Sequence, residues 1–254
     1  MKKLGNTEKN SLFWISLIYL IVGVEVILKI LEVPPYIFPT PTKILIALYN
    51  QRTILFHHSM TTLFEALVGF ILSILLALII GGSVYPFKRI KKMLYPYLLI
   101  SQTIPLIAIA PIILIWFGFG ILPKIIIVIL ICTFPILLSF FSGLDEVDRE
   151  LLELFKIMGA KKKYVFYKVI LPSSLPSLFS GLKIAASYSI MGAIIGEWLG
   201  AKDGLGIYMT RSISSFKTDY LFASIIIVVF LSLGLFKGVE IVENKIMPWK
   251  RGEK

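Results

Sequence analysis

The sequence predicts an all-α, polytopic membrane protein, and three observations lead to this prediction. First, 57% of the 254 residues are hydrophobic and 16% are charged, with a mean hydropathy of +0.87, whereas soluble domains carry about 25% charged residues. Second, the apolar residues form blocks long enough for helices to cross a hydrocarbon core of about 30 Å. Third, most Lys and Arg residues lie between these blocks, as in the loops of membrane proteins. A cytosolic enzyme, a secreted disulfide scaffold and a disordered chain are therefore excluded.

Six apolar blocks are predicted to span the membrane. Prolines 105, 111 and 135 interrupt the third and fourth blocks, and proline at membrane depth is tolerated where neighbouring helices or a cavity satisfy the freed carbonyl groups. We therefore expect these two helices to be kinked and to lie inside the bundle. The absence of a repeat or a linker favours one domain over residues 1–254. The predicted spans are residues 13–31, 60–85, 97–117, 121–141, 175–199 and 220–239.

The distribution of basic residues predicts the orientation. Most of the 26 Lys and Arg residues fall in the N-terminus, in residues 88–92, in the long connection 145–172 and in the C-terminus. The positive-inside rule places these segments, and hence both termini, in the cytoplasm. Because the basic residues follow this topological pattern, the formal charge of +11 does not indicate nucleic-acid binding.

Two segments on the opposite side have recognisable patterns. Residues 42–51 follow a proline-rich exit from the first span and are predicted to form a short amphipathic helix at the interface. Residues 200–219 contain Gly204-Leu205-Gly206 and are predicted to form a turn-rich loop. The single cysteine, Cys132, lies in an apolar block and excludes an internal disulfide.

The connection 145–172 is the main soluble stretch. Its early acidic and later basic residues favour a helix over about 145–158, and Gly159 is suited to end that helix in the left-handed conformation. A second helix is predicted over 161–171, closed by Pro172. Together they would expose apolar and aromatic groups that the chain itself does not cover, which indicates a partner-binding site.

Five residues of this connection carry a resemblance to a known family. Glu153, Gly159, Val169, Leu171 and Pro172 reproduce the spacing of the "EAA loop" of membrane subunits of binding-protein-dependent ABC importers. Leu154 and Phe155 replace the two small residues that follow the glutamate in that motif. By this resemblance the ATPase-coupling residues are Glu153, Gly159, Ala160, Val169, Leu171 and Pro172.

The resemblance extends over most of the chain and is to the branch that serves nitrate, sulfonates, taurine and thiamine-precursor pyrimidines. Gly196-Glu197-Trp198 and residues 101–105 resemble the pyrimidine or riboflavin side of this branch more than the sulfonate side. Other matching points are Phe38-Pro39-Thr40-Pro41, Thr61-Thr62-Leu63, Gly69-Phe70, Trp116-Phe117-Gly118-Phe119-Gly120, Phe134-Pro135, Gly204-Leu205-Gly206 and Pro248-Trp249.

The resemblance implies a type I importer permease fold and a division of labour. An external solute-binding protein would deliver the solute, two copies of this chain would form the pathway in a bacterial inner membrane, and two cytoplasmic ATPases would bind the loop around Gly159. ATP and Mg would be bound by those ATPases, since this sequence has no P-loop. We expect this chain to bind no cofactor or metal and not to be an enzyme.

Several ionisable or polar residues lie within the spans. Glu197 is a functional candidate because intramembrane acids are costly, and the alternative is a hydrated position beside Trp198. Glu25 and Lys29 are expected to pair with each other, and Glu65 to accept a hydrogen bond within the bundle. His57 and His58 are expected to be structural rather than metal ligands.

A substrate path is the other hypothesis for the intramembrane polar groups. Its alternative is interhelical hydrogen bonding, and the sequence leaves both open. The candidate path residues are Gln102, Thr103, Pro105, Ser187, Tyr188, Ser189 and Glu197.

Two other classes of function are weaker. An ion-coupled secondary transporter is expected to show internal repeats and acidic residues at the membrane midplane, and neither is clear in this sequence. An intramembrane enzyme would need a catalytic constellation, and we find no HExxH motif and no nucleophile–base–acid set.

Overall fold

The computed structural model describes residues 6–249, apart from the side chains of residues 6–14, 17, 88 and 149. Within these residues the secondary structure is helical. Several of the basic residues used for the orientation, including Lys2, Lys3, Lys250 and Arg251, lie outside the described residues. The helices are α1 (Asn6–Ile30), α2 (Pro41–Asn50), α3 (Arg52–Val84), α4 (Lys88–Thr103), α5 (Leu106–Phe117), α6 (Ile121–Asp145), α7 (Arg149–Ile157), α8 (Lys162–Val165), α9 (Leu171–Trp198), α10 (Leu205–Ser214) and α11 (Thr218–Ile246).

Helices coincide with all six predicted spans. Among the described residues four helices are long and apolar enough to cross a membrane, and a fifth span results if the bent pair α4–α5 counts as one. The first predicted span coincides with α1, whose N-terminal side chains lie outside the described part. Helix α3 begins at Arg52, well before the predicted residue 60. The helix therefore extends beyond the apolar block on which the prediction was based.

The centre of the fold consists of α3, α6 and α9. Their buried apolar side chains form one cluster that includes Val128, Phe140 and Ile190. Glycines allow the backbones to approach: a Cβ on Gly69 would lie 2.5 Å from the Val128 side chain, and a Cβ on Gly181 would lie 2.5 Å from Ser139 Cβ. Small residues at such crossings are the usual basis of helix association in membranes, where no hydrophobic driving force acts between spans.

The position inside the bundle that was predicted for the proline-containing spans is confirmed for α6 and is not found for α4–α5, whereas the predicted departure from a straight helix is found in α4–α5. Helix α6 contains Pro135 and is buried in the centre, whereas α4 and α5 expose much of their apolar surface, with Ile115 at 80% exposure. The two helices are bent by 97°. Ile104 is extended (ψ 122°), as the residue before a proline prefers, and Pro105 is also extended (ψ 112°). Two consecutive extended residues redirect the chain rather than kink it.

The short helix predicted over 42–51 is confirmed as α2, with Pro41 at its first turn and Ile44 and Ala47 buried against α11. The predicted loop 200–219 is only partly a loop, since residues Leu205–Ser214 form α10. The reason lies in the tertiary contacts of its first turn, described below.

Candidate functional site

Helix α7 ends where the sequence predicts, but it begins at Arg149 rather than near residue 145, because α6 runs to Asp145 and residues 146–148 separate the two helices. The Asp148 carboxylate accepts a hydrogen bond from the Glu150 backbone N–H and so caps the helix. At the other end Gly159 has φ +73°, its N–H bonds to Lys156 O (3.1 Å), and the Ala160 N–H bonds to Phe155 O (3.0 Å). This is a Schellman motif, which turns the chain sharply at the tip of the loop.

The second half of the loop differs from the prediction that Pro172 closes a separate helix. Helix α8 continues through a π-turn (Phe166–Ile170) directly into α9, so that residues 162–198 form one helix. A proline ring clashes with the carbonyl four residues earlier in an α-helix. Here the Leu171 N–H bonds to Phe166 O, five residues back. The wider turn just before Pro172 accommodates the ring without ending the helix.

Several apolar side chains are exposed at the loop tip, on α7, its C-cap, α8 and the π-turn. Ile157 is 84% exposed and Met158 70% exposed. We call this set the tip surface. It consists of Leu154, Ile157, Met158, Tyr164 and Tyr167.

The predicted coupling residues are divided between the tip and its base. Glu153 and Gly159 are exposed on the tip, and Ala160 is half-buried beside them. Val169 is buried, and Leu171 packs against the central cluster together with Phe166. Pro172 is half-buried within α9. The structure therefore does not bring all six into one surface.

The base of the loop is attached to the bundle by polar and aromatic contacts. Lys91 Nζ lies 2.6 Å from an Asp145 carboxylate oxygen, and Ser177 Oγ donates to Glu146 (2.7 Å). The ring centroids of Tyr85, at the end of α3, and Phe166 are 5.3 Å apart. These contacts fix the position of the tip relative to α3, α4 and α6.

A buried polar cluster lies at the opposite end of the bundle, where α3 begins and α9 ends. Glu197 is fully buried. Its carboxylate accepts hydrogen bonds from Thr62 Oγ1 (2.7 Å) and from the Gly206 N–H (2.5 Å). The Leu205 N–H donates to Thr62 Oγ1 (2.8 Å). The Gly204 N–H donates to His58 Nδ1 (2.9 Å).

The side chains of His58, Thr62 and Glu197 thus satisfy three consecutive amides at the start of α10, and we call them the capping cluster. The first N–H groups of a helix have no partner within the helix, and a carboxylate at this position also interacts favourably with the helix dipole. The cluster explains why residues 205–214 are helical. It also shows that Glu197 is buried and hydrogen-bonded rather than hydrated at the interface.

An ion pair lies next to this cluster. Lys124 Nζ and Glu65 Oε1 are 2.5 Å apart, and Glu65 is 2% exposed. The predicted hydrogen bond of Glu65 within the bundle is confirmed, and its partner is Lys124 of α6, 59 residues further along the chain. A buried charge is costly without a partner, so α3 and α6 are tied together at this point. The predicted pair Glu25–Lys29 is also present at 2.8 Å.

The other candidate path residues do not converge on one cavity. Gln102, Thr103 and Pro105 are exposed at the end of α4 and the bend, and Thr103 Oγ1 bonds to Ile100 O (2.7 Å). Ser189 is buried and bonds to Ala186 O (2.8 Å). Ser187 is half-buried and Tyr188 exposed on α9.

The two adjacent histidines lie near Asp203, and their ligand atoms are close enough to suggest a metal site. However, His58 Nδ1 accepts the Gly204 N–H. In the neutral ring the proton is then on Nε2, so neither nitrogen offers a lone pair to a metal. This leaves exposed His57 and Asp203, 3.9 Å apart, and supports the structural interpretation of the histidines.

Comparison with known proteins places this geometry in a family. Residues 69–247 match the model of the binding-protein-dependent transport system inner membrane component. The formylaminopyrimidine transport permease protein ThiX of Halalkalibacterium halodurans is 37% identical over 218 residues, which cover 85% of this chain and 87% of that protein. The putative aliphatic sulfonates transport permease protein SsuC of Bacillus subtilis is 30% identical over 218 residues, covering 84% and 78%.

A solved structure has the same fold. It is the inward-facing MetNI methionine ABC transporter, with a TM-score of 0.68 and 18% identity over 78% of this chain and 98% of that chain. The predictions of family, of an all-α permease fold and of function are confirmed. This chain belongs to the inner-membrane components of binding-protein-dependent transport systems, and it is a multi-pass permease subunit of an ABC importer.

Proposed function

We propose that two copies of this chain form the pathway of an importer whose ATPase subunits dock on the tip surface and bind the ATP and Mg. The chain itself hydrolyses no ATP. The observation that supports this most is the tip surface, in which an apolar patch stands on a helix turn fixed by a Schellman motif. A rigid exposed apolar patch is suited to seat in a groove of a partner with little loss of conformational entropy.

The continuous helix 162–198 supplies a mechanical link for transport. It contains 37 residues, about 55 Å at 1.5 Å per residue. One end carries Tyr164 and Tyr167 of the tip surface, and the other carries Glu197 of the capping cluster. A docked ATPase that moved the tip would tilt this helix and carry α10 with it, because α10 is bonded to its end. Rigid-body movement of this kind is a known basis of alternating conformations.

The proposed orientation places the tip surface and both termini in the cytoplasm. The basic residues of the loop, including Lys161, Lys162 and Lys163, support it. The capping cluster and α10 then face the external solute-binding protein. The exposed apolar faces of α4 and α5 are suited to contact the second copy or lipid.

The proposed solute is a thiamine-precursor pyrimidine. The support is the higher identity to the formylaminopyrimidine permease (37%) than to the sulfonate permease (30%). The Gly196-Glu197-Trp198 match carries less weight, since Glu197 is bonded within the capping cluster. A riboflavin-like compound and a sulfonate, taurine or nitrate anion are the alternatives.

A reconstituted transport assay tests the proposal. The chain, its ATPase and its binding protein are placed in liposomes, and uptake of labelled formylaminopyrimidine, riboflavin and taurine is compared with and without ATP. We expect ATP-dependent uptake of the pyrimidine alone. Uptake without ATP under an ion gradient would contradict the proposed coupling, and uptake of taurine in preference would contradict the proposed solute.

A further inference from the structure

A cavity of about 260 Å³ opens beside the capping cluster. It lies where the end of α2, the start of α3, α10 and the start of α11 meet. The wall residues that matter for its chemistry are Gln51, His58, Tyr208, Arg211, Lys217 and Tyr220.

Tyr208 lines the cavity, and its hydroxyl is a buried polar group. Tyr208 is 8% exposed, and within the described part of the chain its hydroxyl has no hydrogen-bond partner. A buried hydroxyl without a partner is uncommon and calls for an explanation. Burial, with smaller effects of Tyr220 and Asp219, raises the pKa of Tyr208 to about 12. The hydroxyl is therefore protonated at neutral pH and can donate a hydrogen bond.

His58 adds a second donor to the wall. Because its Nδ1 accepts the Gly204 N–H, the neutral ring carries its proton on Nε2. The Gln51 amide donates to the Tyr220 hydroxyl (3.2 Å), which leaves the Tyr220 hydrogen to be given to another acceptor. The polar groups of the wall are thus mainly donors.

The charges of the wall have one sign. Arg211 and Lys217 line the cavity, and no acidic side chain among the described residues does. One Arg211 nitrogen donates to the Lys202 carbonyl (3.3 Å), while a guanidinium carries five N–H groups. Lys217 Nζ lies 5.1 Å from the centroid of the Tyr220 ring. Asp219 acts on Tyr208 electrostatically but does not line the cavity.

We propose that this cavity is a binding site for an oxyanion, either a carboxylate or a phosphate group. Two cations and several donors around one space are complementary to such a group, whose ionised oxygens accept hydrogen bonds. Two sources of the same chemistry are a free anion and an acidic side chain of the external binding protein. The second source depends on the proposed function and orientation, whereas the site itself does not.

Binding is tested first on the purified full-length protein in detergent, by thermal unfolding in potassium phosphate and in potassium chloride of equal ionic strength. A ligand that binds only the folded state raises Tm with concentration. We expect phosphate to raise Tm by at least 2 °C beyond chloride. We expect Arg211→Gln and Tyr208→Phe to raise the half-saturating phosphate concentration at least fivefold.

Lys43→Gln is the matched control, because Lys43 is an exposed lysine of α2, outside the cavity wall. It should respond to phosphate like the unmodified protein. Equal Tm shifts in phosphate and chloride would overturn the proposal, as would an unchanged half-saturating concentration in Arg211→Gln.

The source is tested in liposomes by measuring uptake against the concentration of binding protein. If the anion is a side chain of that protein, Arg211→Gln raises its half-saturating concentration at least fivefold and phosphate competes with it. If the anion is free, the half-saturating concentration of binding protein is unchanged. A failure of uptake in the unmodified system would count against the proposed function and would leave the Tm result standing.

Discussion

Each end of the bundle has a turn that contains a glycine with positive φ, but the surroundings of the two turns differ. Gly159 at the loop tip and Gly204 at the capped end both have positive φ, +73° and +126°. A Cβ on Gly159 would meet nothing within 4 Å, whereas a Cβ on Gly204 would lie 2.2 Å from the Glu197 carboxyl carbon. At the capped end the chain covers its own turn, and at the tip it leaves the turn open. The turn around Gly159 is therefore accessible from outside the chain, whereas the turn around Gly204 is filled by Glu197.

The largest expected effect is that of a charge on the tip surface. Ile157→Asp places a carboxylate at a side chain that is 84% exposed, so folding should be unaffected. In a desolvated interface an unpaired charge costs about 3–5 kcal/mol, which corresponds to a loss of ATPase affinity of more than 100-fold. Co-purification of the tagged ATPase from membranes measures this loss.

The matched control for Ile157→Asp lies at the capped end. Ile213→Asp introduces the same charge at another exposed isoleucine, on α10. It should leave ATPase binding at the unmodified level. If Ile213→Asp also abolished the association, or if Ile157→Asp preserved it, the assignment of the tip as the docking surface would be wrong.

The next effect is expected from removing the carboxylate of the capping cluster. Glu197→Ala leaves the Gly206 N–H buried without its acceptor, at a cost of about 1–3 kcal/mol, while the Thr62 hydroxyl can still donate to the His58 carbonyl. The purified protein should unfold at a Tm several degrees lower. Glu240→Ala, which removes an exposed pair with Lys237, should change Tm little. Equal Tm values for the two variants would show that the cluster does not stabilise the fold.

A pair of glycine substitutions compares the two turns directly. Gly159→Ala should cost only the strain of a left-handed residue, about 1–2 kcal/mol. Gly204→Ala adds a clash with Glu197 to that strain and should lower Tm further. Thermal unfolding of both variants in the same detergent measures the two Tm values and so ranks the variants. The reverse ranking would mean that the capping cluster can move aside without loss.

The smallest expected effect is that of zinc on the Tm of the purified protein. Since the His58 ring is occupied by the Gly204 N–H, micromolar zinc should not raise the Tm of the purified protein. His57→Ala should behave in the same way. A zinc-dependent rise in Tm that His57→Ala removes would show that the capping cluster opens to form a metal site.

Much of the fold followed from local patterns. The apolar blocks located the helices, and Gly159 located the end of α7, because hydropathy and backbone preference act within a few residues. The bend at Pro105 was recognised only as a kink. A proline disfavours helix at the preceding residue, but the direction that the chain takes afterwards depends on what α5 packs against, and α5 packs against α6.

The functional site, like the fold, was predictable only where its residues form a local pattern. The sequence singled out the loop 145–172 and Glu197, but it assigned Glu197 to a path or to an interface. It placed Thr62 only among the points of family resemblance and His58 only as a structural residue, because nothing in their local pattern marks them as partners of the α10 amides. The one available signal was Gly204-Leu205-Gly206, whose glycines allow backbone amides to approach buried acceptors.

The sequence by itself determined that this chain is a helical membrane protein with an exposed loop of the ABC importer type. The reason is that length, hydropathy and turn preference are properties of consecutive residues. Only the tertiary structure decided that Glu197 holds α10, that Lys124 pairs with Glu65, and that Tyr208 faces a basic cavity. These contacts join residues of different helices, and they exist only where the helices pack closely enough to bring the side chains together.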